Sequence, residues 1–161
     1  MIRYIRTALH IITAILICEA VGFLGAAFTI PALAEWYPLL QKPSWNPPAW
    51  IFGPVWTLLY TLMGVSAFLI WKSARHTRKG KIALLFFSVQ LLLNLLWSVI
   101  FFGSHSVRSG LIEILFLLVS LGISTVLFWR IHKTAAILLF PYCGWTLFAT
   151  ILNFTLWRLN G

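Results

Sequence analysis

Trp36-Tyr37-Pro38-Leu39-Leu40-Gln41-Lys42-Pro43-Ser44-Trp45-Asn46-Pro47-Pro48-Ala49-Trp50, continued by Ile51-Phe52-Gly53-Pro54-Val55-Trp56-Thr57-Leu58-Leu59-Tyr60, holds four tryptophans, two tyrosines and five prolines. Proline fixes φ and removes a backbone donor, so a stretch this rich in it is stiff. Stiffness lowers the entropy lost when a loop closes over a ligand. The segment lies where one long apolar run ends and another begins. It reads as the lid or mouth of a site at one end of a pair of membrane helices.

Five apolar runs extend on either side of this point, at Ala8–Thr29, Ile51–Trp71, Ile82–Phe102, Leu111–Trp129 and Ala135–Leu156. Each has the roughly 20 residues a helix needs to cross a bilayer. Apolar side chains make up 61% of the chain and charged ones 9%, which excludes an ordinary soluble domain. The fold class is therefore an all-α integral membrane protein, a bundle of five transmembrane helices. Residues 1–161 form one domain, and residues 30–50 are its capping loop. The first helix is expected to break at Pro31, with Glu35 at its polar edge. Pro54 falls in the first turn of helix two, where its missing N–H costs little. Pro141, well inside helix five, predicts a kink. Arg3 and Arg6 ahead of an apolar run imitate a leader peptide, but the apolar character continues to Thr29, so this segment is kept as helix one.

The net charge of +9 is explained by topology. Arg3, Arg6, Lys72, Arg75, Arg78, Lys79, Lys81, Arg130 and Lys133 fall on one side of a five-span chain, nine of its twelve basic residues. By the positive-inside rule the N-terminus is cytoplasmic, and the first loop and C-terminus lie outside. No nucleic-acid partner is needed to account for the charge. Cys18 and Cys143 fall within spans as small apolar residues. The spacing of Cys and His suggests neither a disulfide framework nor a metal site, and no cofactor is expected. Glu19 and Glu113 are the acids inside spans, where an ionisable group is a functional candidate. Glu113 can pair with Arg108; Glu19 has no companion in a recognisable relay. Any catalysis would draw on redox-active tryptophan rather than on acid–base pairs.

Helical spacing sorts the remaining unusual residues onto faces. Helix two presents Phe52, Trp56, Tyr60 and Met63; helix three presents Gln90, Asn94, Trp97 and Phe101. Helix five presents Trp145, Ala149, Leu152 and Asn153, and helix one a small-residue stripe of Gly22, Ala26 and Thr29. Trp56 and Trp97 sit about 8 Å below the loop-side ends of their helices, Asn94 about 12 Å and Trp145 about 16 Å. An aromatic, amide-bearing pocket capped by the stiff loop is the simplest arrangement using these positions. Each residue also has a plainer role. Trp36, Trp45, Trp50, Trp71, Trp129 and Trp157 near span ends suit interfacial anchoring. Gln90, Asn94 and Asn153 suit interhelical hydrogen bonding, and Gly22 with Ala26 suits close helix packing.

KPSWNPPAW (Lys42–Trp50) followed by FGPVWTLLY (Phe52–Tyr60) resembles the translocator protein family, the tryptophan-rich TspO proteins. QLLLNLLWSVIFFG (Gln90–Gly103) and PYCGWTLFATILNFTLWRLN (Pro141–Asn160) are similar to the same family. The resemblance covers most of the chain. It implies a five-helix bundle, often a homodimer, that binds porphyrins and, in animal relatives, isoquinoline carboxamide drugs and cholesterol. It places the ligand under the first loop, lined here by Ala26, Phe52, Asn94, Trp97, Trp145, Ala149 and Leu152 and closed by Trp50. Trp56 and Tyr60 join that set from the helix faces. Phe154 stands where the sterol-recognition pattern of animal relatives needs tyrosine, which argues against cholesterol. The expected activity is binding of a flat apolar tetrapyrrole such as protoporphyrin IX, its carboxylates reaching the interface or Lys42. The resemblance adds possible light- and oxygen-dependent degradation through Trp50 and Trp145. Porphyrin or lipid export, and stress sensing through a partner, are the alternatives. A bacterial plasma membrane is the expected location, with membrane lipid as the surrounding partner.

Overall fold

The computed structural model describes residues 2–161, with side chains from Tyr4 onward, so Arg3 of the basic set lies outside the described side chains. Five helices carry the chain: α1 (Ile2–Glu35), α2 (Phe52–Ala74), α3 (Arg78–Ser98), α4 (Val107–Trp129) and α5 (Lys133–Asn160). All five are long and apolar enough to span a membrane. The chain is thus an all-α, multi-pass membrane protein.

Local chemistry sets where the last three helices begin. Thr77 accepts from the Gly80 N–H at 3.0 Å, Ser106 from the Ser109 N–H at 3.3 Å, and the His132 ring from the Ala135 N–H at 3.4 Å. Each cap satisfies a backbone donor that the first turn leaves free. Pro31 does not break α1 as the sequence suggested; the helix continues through it to Glu35. At about 1.5 Å per residue α1 is about 50 Å long, well beyond the hydrocarbon core. Its proline therefore lies towards an end, where water can satisfy the freed carbonyl. Pro141 is likewise carried inside α5.

Packing neighbours follow one another around a ring: α1 against α2, α2 against α5, α5 against α4, α4 against α3, and α3 back against α1. α1 and α2 approach closely at Gly64, where a Cβ would lie 2.5 Å from the Ile15 Cα. Gly22 packs closely, as its spacing with Ala26 suggested, since a Cβ there would lie 2.5 Å from Tyr60 Cε2. Gly22, Ala26 and Thr29 also border open space. One end of the bundle gathers the start of α1 and the α2–α3 and α4–α5 connections; most basic residues are there. The other end gathers residues 36–51, the α3–α4 connection and the C-terminus.

Inside the ring, α2, α3 and α5 are tied by polar side chains. The Tyr60 hydroxyl donates to Asn94 Oδ1, and Asn94 Nδ2 donates to the Tyr142 hydroxyl at 2.9 Å. Asn153 Nδ2 donates to the Val107 carbonyl at 2.9 Å, joining α5 to α4. Asn94 and Asn153 are thus the interhelical ties their position allowed. Gln90 is not: both its amide atoms are buried without a partner among the described residues. The expected Glu113–Arg108 pair is also absent, since both Glu113 carboxyl oxygens are buried without a hydrogen bond among those residues.

Candidate functional site

Residues 36–51 form a folded cap rather than a slack loop. Two short 3₁₀ turns, Tyr37–Leu39 and Ala49–Ile51, bracket it. Trp36 stacks on His105 with ring centroids 4.8 Å apart, and Trp45 meets Phe148 edge-on at 5.9 Å. The Tyr37 hydroxyl donates to Asn46 Oδ1 at 2.6 Å. Burial pushes that phenol up to about 12, so it stays a neutral donor throughout the physiological range. The cap is also tied to the end of α5: the Gln41 N–H donates to Asn160 Oδ1, and Asn160 Nδ2 donates to the Gln41 carbonyl. Lys42 folds back on the cap, its Nζ donating to the Pro38 and Leu40 carbonyls at 3.0 and 2.9 Å. It is not among the residues that line the cavity described next.

Beside the cap is a cavity of about 410 Å³ between α1, α2 and the end of α3. Its size is in the usual range for small-molecule sites. Of the ten residues expected to bind ligand, Ala26, Trp50, Phe52, Trp56, Tyr60 and Trp97 line it. Trp50, 74% exposed, stands at its edge. Trp145, Ala149 and Leu152 do not line this cavity. They border a second space of only about 20 Å³, closed by Tyr37, Phe148 and Leu156. Phe52, Trp97 and Phe102 belong to both linings and form the partition. Asn94 lines neither, because its amide is engaged by Tyr60 and Tyr142.

The two tryptophans expected to do chemistry are thus differently placed. Trp50 faces the large cavity, whereas Trp145 touches the far side of the partition, its ring 6.1 Å from that of Phe52. Trp97 is fixed by a long bond from its indole N–H to Asn153 Oδ1 at 3.3 Å and by stacking on Phe101 at 5.2 Å.

Several lining residues were not in the sequence-derived site, and Glu19, Ser98 and Phe102 are the most informative of them. Among the described residues Glu19 supplies the only carboxyl in its lining, and Thr61 donates to Glu19 Oε1 at 2.9 Å. Its signal was present in the sequence, as an acid in mid-span. Ser98 and Phe102 reach the cavity where α3 gives way to a π-helical turn, Val99–Gly103. The Ser104 N–H there reaches back to the Val99 carbonyl at 2.9 Å. Such a turn inserts one residue into the helical repeat and re-aims the side chains beyond it. A steady 3.6-residue spacing could not reveal it.

The comparisons with known proteins agree with this architecture. Residues 14–158 match the TspO/MBR family. The chain is 43% identical over 145 residues to the tryptophan-rich protein TspO of Chlorobaculum tepidum, covering 89% of this chain and 91% of that protein. It is 40% identical over 139 residues to the translocator protein of Homo sapiens, covering 86% and 82%. A tryptophan-rich sensory protein of Cereibacter sphaeroides is 37% identical over 84% of this chain and 85% of its own length. The chain belongs to the TspO/MBR family.

Proposed function

We propose that the cavity between α1, α2 and α3 binds a flat apolar tetrapyrrole such as protoporphyrin IX. The carrying observation is a cavity of about 410 Å³ beside a pinned cap, with the rings of Phe52, Trp56, Tyr60 and Trp97 in its lining. Aromatic faces stack well on a planar macrocycle. Isoquinoline carboxamide-type molecules share that flatness and belong to the same class of occupant. The ligand's carboxylates would point out of the cavity, because the one charged group inside it is the Glu19 carboxylate and no cation among the described residues lines it.

Light-dependent oxidation of the bound porphyrin is part of this reading. Trp50 would give one electron to the photoexcited ligand, and the porphyrin radical anion would pass it to oxygen as superoxide. The tryptophan radical would take an electron back from the macrocycle, and superoxide would add to the oxidised ring, a net addition of O2 to the porphyrin. Trp145 would act only as a second donor, across the Phe52 partition. The protein would sit in a bacterial plasma membrane as a homodimer, with its basic end in the cytoplasm and its cap outside.

Titration of the purified protein with protoporphyrin IX, followed by tryptophan fluorescence, tests the binding. Saturable quenching that disappears in Ala26→Trp supports the site; unchanged quenching in that variant rejects it. Absorbance loss under illumination tests the chemistry. Bleaching as fast in Trp50→Phe as in the parent would remove Trp50 from the mechanism.

A further inference from the structure

We propose that a second cavity, at the basic end of the bundle, holds the headgroup of an anionic phospholipid. It lies between the first turns of α1 and the last turns of α2 and has a volume of about 430 Å³. Arg6 and His10 come from α1; Phe68, Trp71, Lys72 and Arg75 come from α2 and its end. The tetrapyrrole cavity shares none of these residues, so this site stands or falls independently of that reading.

Three features specify the occupant. The first is uncompensated charge. The chain has three acidic side chains, Glu19, Glu35 and Glu113, and none lines this cavity. Arg6, Lys72 and Arg75 therefore converge from two helices without an acid among them. The second is that the cations are held in place by rings. The Arg75 guanidinium lies 4.0 Å from the Trp71 ring centroid and Lys72 Nζ 5.9 Å from that of Phe68. The His10 ring packs 4.8 Å from Trp71. Arg75 directs its Nε to His76 at 2.9 Å, and its two terminal nitrogens make no hydrogen bond among the described residues. A guanidinium with a free planar edge suits phosphate oxygens.

The third feature is position. Both helices are membrane-spanning, and the cavity is at their common end, the depth at which phospholipid headgroups lie. Exposed Leu9, Ile12 and Leu16 continue along α1 into the hydrocarbon, giving acyl chains a surface to lie on. A soluble anion would use the charge and leave that apolar surface idle. A phospholipid uses both, and basic residues at the cytoplasmic face favour anionic ones.

The test is native mass spectrometry of the full chain in detergent, titrated separately with phosphatidylglycerol and phosphatidylcholine of the same acyl chains. A parallel arm adds inorganic phosphate as competitor. Two triple variants are compared: Arg6→Gln/Lys72→Gln/Arg75→Gln inside the cavity, and Arg78→Gln/Lys79→Gln/Lys81→Gln at the same end but outside it. Single Lys72→Gln serves if the first triple variant does not fold. The expected result is phosphatidylglycerol bound at least about tenfold more tightly than phosphatidylcholine. That preference should be lost in the cavity triple, weakened in Lys72→Gln and kept in the outer triple. Equal binding of the two lipids overturns the proposal. So does an equal loss in both triples, which would mean diffuse charge rather than a site. Displacement of the lipid by phosphate at comparable concentration also overturns it, by showing a soluble-anion site.

Discussion

The two faces of the Phe52–Trp97–Phe102 partition use similar aromatic residues to opposite ends. On the α1 side the rings face Gly22, Gly25, Ala26 and Thr29, and a space of about 410 Å³ remains. On the α5 side they face Trp145, Phe148, Leu152 and Leu156, and about 20 Å³ remains. The tryptophans alone do not make a pocket. What opens one side is the smallness of the opposing stripe on α1. Inside a bilayer, helices are held by packing and hydrogen bonds rather than by exclusion of water. An open side must therefore be secured elsewhere along the same helices.

Gly64 supplies that security, and breaking it has the largest expected effect. A side chain at Gly64 would meet the α1 backbone at Ile15 and Ala14, which cannot move aside as a flexible side chain can. Gly64→Leu is expected to cost about 3 kcal/mol or more, pushing α1 off α2 and removing one wall of the cavity. Thermal unfolding in detergent would show a large fall in Tm together with loss of porphyrin binding. A normal melting curve would mean that α1 is not held there.

Asn94→Ala comes next. It leaves two tyrosine hydroxyls, Tyr60 and Tyr142, without their shared partner between α2, α3 and α5. Stranding buried polar groups and emptying the amide's volume should together cost about 2–4 kcal/mol. Because Asn94 does not line the cavity, affinity at temperatures where the variant is folded should change little. A selective loss of affinity with unchanged stability would instead make Asn94 a ligand contact.

Much of this architecture was legible in the sequence, and the features that were not have a common cause. Apolar length gave five spanning helices, and periodicity put Phe52, Trp56 and Tyr60 on one face of α2. A face, however, does not tell how far away the opposing helix stands. Ala26 and Ala149 looked alike as small residues under a lid, yet one borders open space and the other a filled seam. Trp97 and Asn94 are three residues apart on α3, but the amide finds two hydroxyls and the indole reaches the partition. Pro31 misled because proline breaks a helix only where the freed carbonyl stays unsatisfied. The π turn at Val99–Gly103 was invisible because one inserted residue leaves composition and hydropathy unchanged.

Ala26→Trp and Ala149→Trp sharpen the comparison most directly. The same side-chain enlargement enters an open space in one case and a closed one in the other. Ala26→Trp should fold normally and weaken porphyrin binding at least about tenfold, by occupying the ligand's volume. Ala149→Trp should lower stability by about 1–3 kcal/mol through overpacking, with affinity nearly unchanged. The reversed pattern, with binding lost only in Ala149→Trp, would move the ligand to the α5 side of the partition.

Glu19→Gln is the smallest change and probes the open side alone. Glutamine keeps the carbonyl oxygen that Thr61 bonds, so the packing between α1 and α2 is preserved. Removing the carboxylate removes repulsion of an anionic ligand, an effect damped by the partial exposure of this site. Affinity for protoporphyrin IX should rise roughly two- to fivefold, and that for its neutral dimethyl ester should stay the same. A fall with both ligands would reverse the assignment. Glu19 would then accept a hydrogen bond from the macrocycle's own N–H groups, and the cavity would select its ligand by that centre rather than merely tolerate its shape.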